Sequence, residues 1–234
     1  SYLQAVVGSW AAELAGQTAP ALDVQARTRF NEANDSHYYL VPGVIVTIMT
    51  MIGALLTSLV MAREYERGTL ESLFVTPVGS GEILTAKAAT NFLLGMVSLA
   101  ISMVFAAFVF DIPIRGSLLL LLAVSALFLI VALGLGLVIS TATKNQFLAC
   151  QFAIMGTFMP ALMLSGFLYD ILNMPPAVRA VTYLIPARYY VTLLQTLFLA
   201  GDIPSVIIPC CITLGVFAVV LMSIARLKAP KSLE

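Results

Sequence analysis

The sequence predicts an all-α membrane protein, and three observations carry that prediction. Of 234 residues, 60% are hydrophobic and only 10% charged, whereas an average soluble domain has about 25% charged residues. Too few charges remain to clothe a soluble globule of 25.0 kDa, so part of its solvent is lipid. Five stretches are also long and apolar enough to cross a hydrocarbon core, which takes about 20 helical residues. Finally, these stretches contain no Asp, Glu or Arg, and their one Lys, Lys87, lies near an end where it can snorkel.

Residues 1–37 come first and differ from the rest. Glu13, Asp23, Arg27, Arg29, Glu32 and Asp35 stand there among Gly, Pro and Asn. The segment lacks the charged start and cleavage site of a signal peptide, and it reads as a small aqueous domain or the tail of one. A membrane domain over residues 38–231 follows, with a short tail at 232–234. Its five spans are placed at residues 39–62, 84–110, 117–141, 147–169 and 203–225.

The loops set the orientation. One side carries Arg63, Arg67, Lys87, Lys144, Arg226, Lys228 and Lys231, and the other Arg27, Arg29, Arg115, Arg179 and Arg188. The richer side is expected in the cytoplasm, together with the C-terminus. Lys+Arg and Asp+Glu balance at 12 each, so no net field suggests nucleic acid. An odd number of spans puts Ser1 outside, which leads to the expectation that a further span precedes this sequence.

Residues 63–76 form the most informative stretch, a cytoplasmic elbow directly after the first span. Leu70, Leu73 and Phe74 recur at i, i+3, i+4 as an apolar stripe, while Glu64, Arg67 and Glu71 line the opposite side. Gly68 permits a bend, and Pro77 ends the helix near Thr76. Such a helix can lie in the headgroups or dock into a groove of a cytosolic partner.

Between the last two spans, residues 171–200 are apolar but broken by Asn173, Pro175, Pro176 and Pro186. Neither piece is long enough to span: residues 187–200 reach only about 21 Å at 1.5 Å per residue. Two short helices dipping in from outside account for this pattern, and surface helices of a plain external loop also fit it. Pro176 suits a first helical turn, and Pro186 marks a break before the second helix. Arg188, Tyr189 and Tyr190 are expected at the interface, where Arg and aromatics settle.

The run Glu64-x-Glu66-x-Gly68-Thr69-Leu70-Glu71-x-Leu73-x-x-Thr76-Pro77, followed by Glu82 and Lys87, resembles the signature of type-2 ABC exporter permeases. These are membrane subunits of bacterial drug, polysaccharide and lipid exporters. The resemblance implies a coupling helix over 63–76 whose Glu64, Glu66, Arg67, Gly68, Thr69, Leu70, Glu71, Leu73 and Phe74 dock an ATPase subunit. Pro186-Ala187-x-Tyr189 with residues 197–201 resembles the family's short external re-entrant helices, which implies an outer gate at Pro186, Arg188, Tyr189 and Tyr190. Six spans are implied, one more than the five seen here. A homodimer or heterodimer in the bacterial inner membrane is implied as well, with ATP and Mg held by the partner ATPase and no cofactor held by this chain.

Within the spans, Ala132 and Gly136 form a small-xxx-small pair that lets helices approach closely. Asn91 and Gln151 are the notable intramembrane amides, suited to interhelical hydrogen bonds or to the substrate path. Gly156 and Pro160 are expected to bend the fourth span. Met155, Met159 and Met163 recur along it after Phe152. Methionine adapts to varied apolar shapes, so the row suits helix packing or a hydrophobic cargo. With the family's pathway at the dimer centre, Met49, Phe152, Met159 and Met163 become candidate lining residues.

The sequence holds no Gly-x-x-x-x-Gly-Lys-[Ser/Thr] phosphate loop. His37 is the only histidine, and Cys150, Cys210 and Cys211 lack metal-ligand spacing. A secondary transporter or channel would be expected to carry ionisable residues inside its spans. A polytopic enzyme would need a polar cluster near one interface. The expected product is the permease subunit of an ATP-driven exporter of drugs, lipids or lipid-linked glycans.

Overall fold

The computed structural model describes Val7, Trp10 and residues 37–68, 80–110, 112 and 115–228. The chain divides into two units, Ser1–Asn34 and Asp35–Glu234, and the account below concerns the second. Among the described residues the secondary structure is helical throughout. The expected external segment over 1–37, apart from Val7, Trp10 and His37, most of the elbow helix (residues 69–76) and the tail over 232–234 lie outside the described residues.

Helix α1 runs through His37–Thr50, a π-helical segment Met51–Leu56, and Thr57–Glu66. Helix α2 is Ser80–Phe108 and α3 is Leu118–Thr143. Helix α4 begins with Gln146–Ala153, passes through a π segment at Ile154–Phe158 and ends with Met159–Leu164. Two short helices follow a turn at Ile171–Asn173: α5, Pro176–Thr182, and α6, Pro186–Gln195, which continues as a π segment Thr196–Ala200. Helix α7 is Pro204–Lys228. Five of these helices are long and apolar enough to cross a bilayer: Leu40–Glu66, Thr85–Phe108, Leu118–Thr143, Gln146–Leu164 and Pro204–Leu227. A bilayer core offers no water to satisfy backbone polar groups, which restricts a spanning chain to this kind of element.

Two expected boundaries are corrected. The elbow helix does not begin at residue 63, because Arg63–Glu66 is the last turn of α1. Its charges have partners, described below, and no stop signal occurs before Gly68, whose φ of 65° ends the helix where a bend was expected. The fourth span ends at Leu164, not at residue 169. Gly166 has φ 89° and Phe167 folds back against α1, filling the space above Gly43 so closely that a Cβ there would lie 1.8 Å from the ring.

In lipid, apolar surface gives helices no reason to associate, so close backbone approach and interhelical hydrogen bonds must hold them. The centre of the bundle shows both. Half of the most apolar stretch of α1 and of α3 is buried, against 17% for α7. A Cβ on Gly53 would meet Ala132 Cβ at 2.4 Å, and one on Gly136 would lie 2.7 Å from the carbonyl oxygen of Ala54. The Ala132/Gly136 pair is therefore the seam along which α3 meets α1. Just past the π segment of α1, Asn91 Nδ2 of α2 donates to Thr57 Oγ1 at 3.0 Å. Ser58 Oγ donates to the Ala149 carbonyl of α4 at 3.1 Å. Asn91 thus makes the interhelical bond expected of it, whereas Gln151 lies on the exposed face of α4.

The outer surface is apolar. Phe105, Phe108, Leu119, Phe147, Ile212 and Val219 are all exposed, a pattern that suits acyl chains and would aggregate in water. Gly136→Ala is expected to lower stability by about 1–3 kcal/mol through overpacking. Gly215→Ala, where a Cβ meets nothing within 4 Å, is expected to leave it unchanged. Thermal unfolding in detergent checks the pair, and equal midpoints for the two variants would sink the α1–α3 assignment.

Candidate functional site

The polar groups gather at the two ends of the bundle. At the elbow end, Lys87 Nζ of α2 meets Glu64 Oε1 at 2.5 Å, both side chains being largely covered. Arg63 Nε donates to Gln146 Oε1 at 3.2 Å, and the Gln146 backbone N–H donates to Glu66 Oε2 at 2.9 Å. Arg63 and Glu66, three residues apart, share one face of α1, and that face meets the start of α4. Only Lys144, left-handed at φ 49°, and Asn145 separate α3 from α4. Asn145 Oδ1 caps α4 by accepting from Leu148 N at 3.1 Å. The first turn of α4 thus receives one acceptor from its own cap and one from a carboxylate of α1, both where a helix N-terminus needs them.

Of the nine docking candidates, the structure places Glu64 and Glu66 against neighbouring helices of this chain. Arg67 is exposed and Gly68 forms the break. Thr69, Leu70, Glu71, Leu73 and Phe74 lie outside the described residues.

At the opposite end, the short helices α5 and α6 follow one another, each with proline at its first helical position. Ala187, Tyr190, Val191 and Leu194 recur at i, i+3, i+4, i+7 and are buried, as are Leu197 and Phe198. Tyr190 corrects its expected place at the interface. It is fully buried, donates to Ser125 Oγ of α3 at 2.8 Å and stacks on Phe128 with centroids 4.1 Å apart. The periodic stripe through α6 points it inward, and its hydroxyl needs a partner there. Tyr189 instead donates to the Tyr183 carbonyl at 3.0 Å. Arg188 Nη1 donates to Thr182 Oγ1, and its guanidinium lies 4.0 Å from the Tyr183 ring centroid. Pro186 is buried at the start of α6.

The residues before α3 clasp the far end of α6. Arg115 Nη1 donates to the Leu199 carbonyl at 3.0 Å, Gly116 N to the Leu197 carbonyl at 2.8 Å and Ser117 N to Asp202 Oδ1 at 2.9 Å. Ser125, Gln146 and Asp202 were not picked out from the sequence. Their partners lie 65 to 85 residues away in the chain, and no local spacing signals such pairs. The α6 stripe, by contrast, was there to be read at helical period.

The four pathway candidates do not converge. Met49 is buried in the core, while Phe152, Met159 and Met163 face outward from α4. A small cavity of about 90 Å³ lies between α1, α3, α4 and the start of α6, lined by Thr50, Phe128, Gly156, Thr157, Pro186 and Ala187 among others. None of the four candidates lines it. It is smaller than the roughly 300–1,000 Å³ of drug-sized sites. The hydroxyls of Thr50 and Thr157 turn back to their own helices' carbonyls at Val46 and Ala153, so the wall is mostly apolar.

Five lipid-length helices around a glycine seam, with ordered polar groups at both ends that tie helix to helix, define a polytopic all-α membrane domain. Residues 15–199 match the family model described as ABC-2 type transporter, and the chain belongs to that family. It is 46% identical over its whole length to the Escherichia coli protein named "Probable multidrug ABC transporter permease YbhS". It is 30% identical over 85% of its length to "Probable multidrug ABC transporter permease YbhR", and 28% identical over 97% to "Inner membrane transport permease YhhJ", both also from Escherichia coli. The chain spans 63%, 54% and 61% of the lengths of these three relatives.

Tyr190→Phe is expected to cost about 1 kcal/mol, the scale of one interhelical hydrogen bond in a membrane. Tyr190→Ala is expected to cost about 3–5 kcal/mol through the cavity it leaves. Thermal midpoints in detergent measure both. Unchanged stability of Tyr190→Ala would contradict this structural role for Tyr190.

Proposed function

We propose that this chain is the greater part of the membrane permease of an ATP-driven exporter in a bacterial inner membrane. The observation that carries this reading is the elbow. A spanning helix continues through Arg63–Glu66, binds α2 and α4 there, and breaks at Gly68 into the run whose apolar stripe suits a partner's groove. Family membership and the permease names of the relatives support the same reading. In it, Leu70, Leu73 and Phe74 seat in a cytosolic ABC ATPase subunit that binds ATP and Mg. The elbow end and the C-terminus face the cytoplasm, and the short helices α5 and α6 close the outer end of the pathway as a re-entrant pair. The functional unit is a dimer, with a second copy or with a paralogous permease, as the two related permeases matched by this chain suggest. The cargo is hydrophobic or amphipathic, in keeping with the apolar walls between the helices and the "multidrug" in the names of two relatives.

Replacing Leu73 and Phe74 by Asp is expected to abolish copurification of the ATPase subunit and its permease-dependent ATP turnover, while membrane insertion is preserved. Retention of the ATPase at wild-type level by the double variant would refute docking through this stripe.

A further inference from the structure

The elbow charges contain an arrangement that partner docking does not explain. Among the described residues, the last turn of α1 reaches two other helices of this chain: Glu64 meets Lys87 of α2, and Arg63 and Glu66 meet Gln146 of α4. The Glu66 carboxylate accepts the first N–H of α4, which has no acceptor inside its own helix. There the negative charge also meets the positive end of the α4 dipole. Two turns further into the bundle, Ser58 bonds the Ala149 carbonyl of the same helix. Deeper still, the π segments of α1 and α4, Met51–Leu56 and Ile154–Phe158, lie against each other. Segments of that kind mark places where a helix departs from its regular ladder, often for function.

We infer that Glu66 and Arg63 form a transmission clamp: they are positioning residues that lock the start of α4 to the end of α1, so that displacement of the elbow moves α4. The inference rests on the proposed function and changes the role of Glu66 from an ATPase contact to an internal cap. The left-handed break at Gly68 follows two residues after the clamp, so any load on the residues beyond it is delivered first to Arg63–Glu66. Lys87 passes part of that load to α2. The two-residue turn at Lys144 and Asn145 carries α3 with α4. Arg67, exposed and outside the clamp, remains free to meet a partner.

The test uses the full-length permease copurified with its ABC ATPase and reconstituted in vesicles. A fluorophore on Phe147→Cys, an exposed position in the first turn of α4, reports nucleotide-driven movement after vanadate trapping of ATP. Cys150, Cys210 and Cys211 are replaced by Ala in this background. Glu66→Ala and Arg63→Ala are expected to keep the ATPase bound and hydrolysing, while the fluorophore response falls roughly tenfold, within the range of coupling energies between sites. Glu66→Gln keeps an acceptor for the Gln146 N–H and is expected to retain most of the response. A full response from Glu66→Ala overturns the clamp. So does loss of the ATPase from both Glu66→Ala and Glu66→Gln, which would make Glu66 a direct docking charge. A wild-type permease that binds no ATPase would instead overturn the proposed function itself.

Discussion

The close contact of α1 with α3 is the constraint on which the other elements depend. The Ala132 methyl fills the space above Gly53, and the Ala54 carbonyl oxygen fills the space above Gly136, so neither glycine leaves room for a side chain of its own. Such close approach is how helices gain packing energy where lipid is as apolar as leucine. With α3 held there, α1 reaches α2, α4 and α6 as well. It meets α2 through Asn91 and Lys87, α4 through Ala149 and Gln146, and the segment after α4 through Phe167. Few of these bonds is strong alone. An interhelical hydrogen bond in a membrane averages about 0.6 kcal/mol and a partly covered ion pair contributes about 1 kcal/mol or less. Their value lies in position, because they lock the rotation and depth of α1 relative to its neighbours.

The two ends of the bundle differ in how they are closed. At the end away from the elbow, α6 buries a whole helical face against α7, α1 and α3, and Tyr190 with Ser125 and Phe128 locks its register. The clasp from Arg115, Gly116 and Ser117 then fastens its far end. This is an apolar closure with few charges. At the elbow end the contacts are charged and near the surface, so they can be reached and redirected by a partner. The proposed function would draw on that asymmetry: the end assigned to the ATPase is polar and addressable, and the opposite end is packed.

Much of this was legible in the sequence, and the limits of legibility have physical causes. The five spans follow from apolar length, the break at Gly68 from its conformational freedom, and the starts of α5 and α6 from Pro176 and Pro186. The seam at Ala132 and Gly136 and the bond of Asn91 were also foreseen from residue type. The sequence ends the first span at residue 62 and starts a separate elbow helix at 63 because charges mark the edge of a lipid-facing run, whereas α1 continues to Glu66 where those charges meet α2 and α4. Tyr190 was placed at the interface because aromatics often settle there, although the stripe from Ala187 to Leu194 already pointed it inward. The π segments have no local signature. The Met row was readable as a stripe, but which way a stripe faces depends on the position of α4 in the bundle, and Met49 shares no face with it.

The central claim is that the elbow end of α1 and the start of α4 move as one body when the ATPase subunit closes on nucleotide. Spin labels on Arg67→Cys and Lys144→Cys, both exposed, measure it by electron–electron distance in the cysteine-free, ATPase-bound permease. The account predicts the same distance distribution in the nucleotide-free and vanadate-trapped states. A shifted or split distribution on trapping would contradict it.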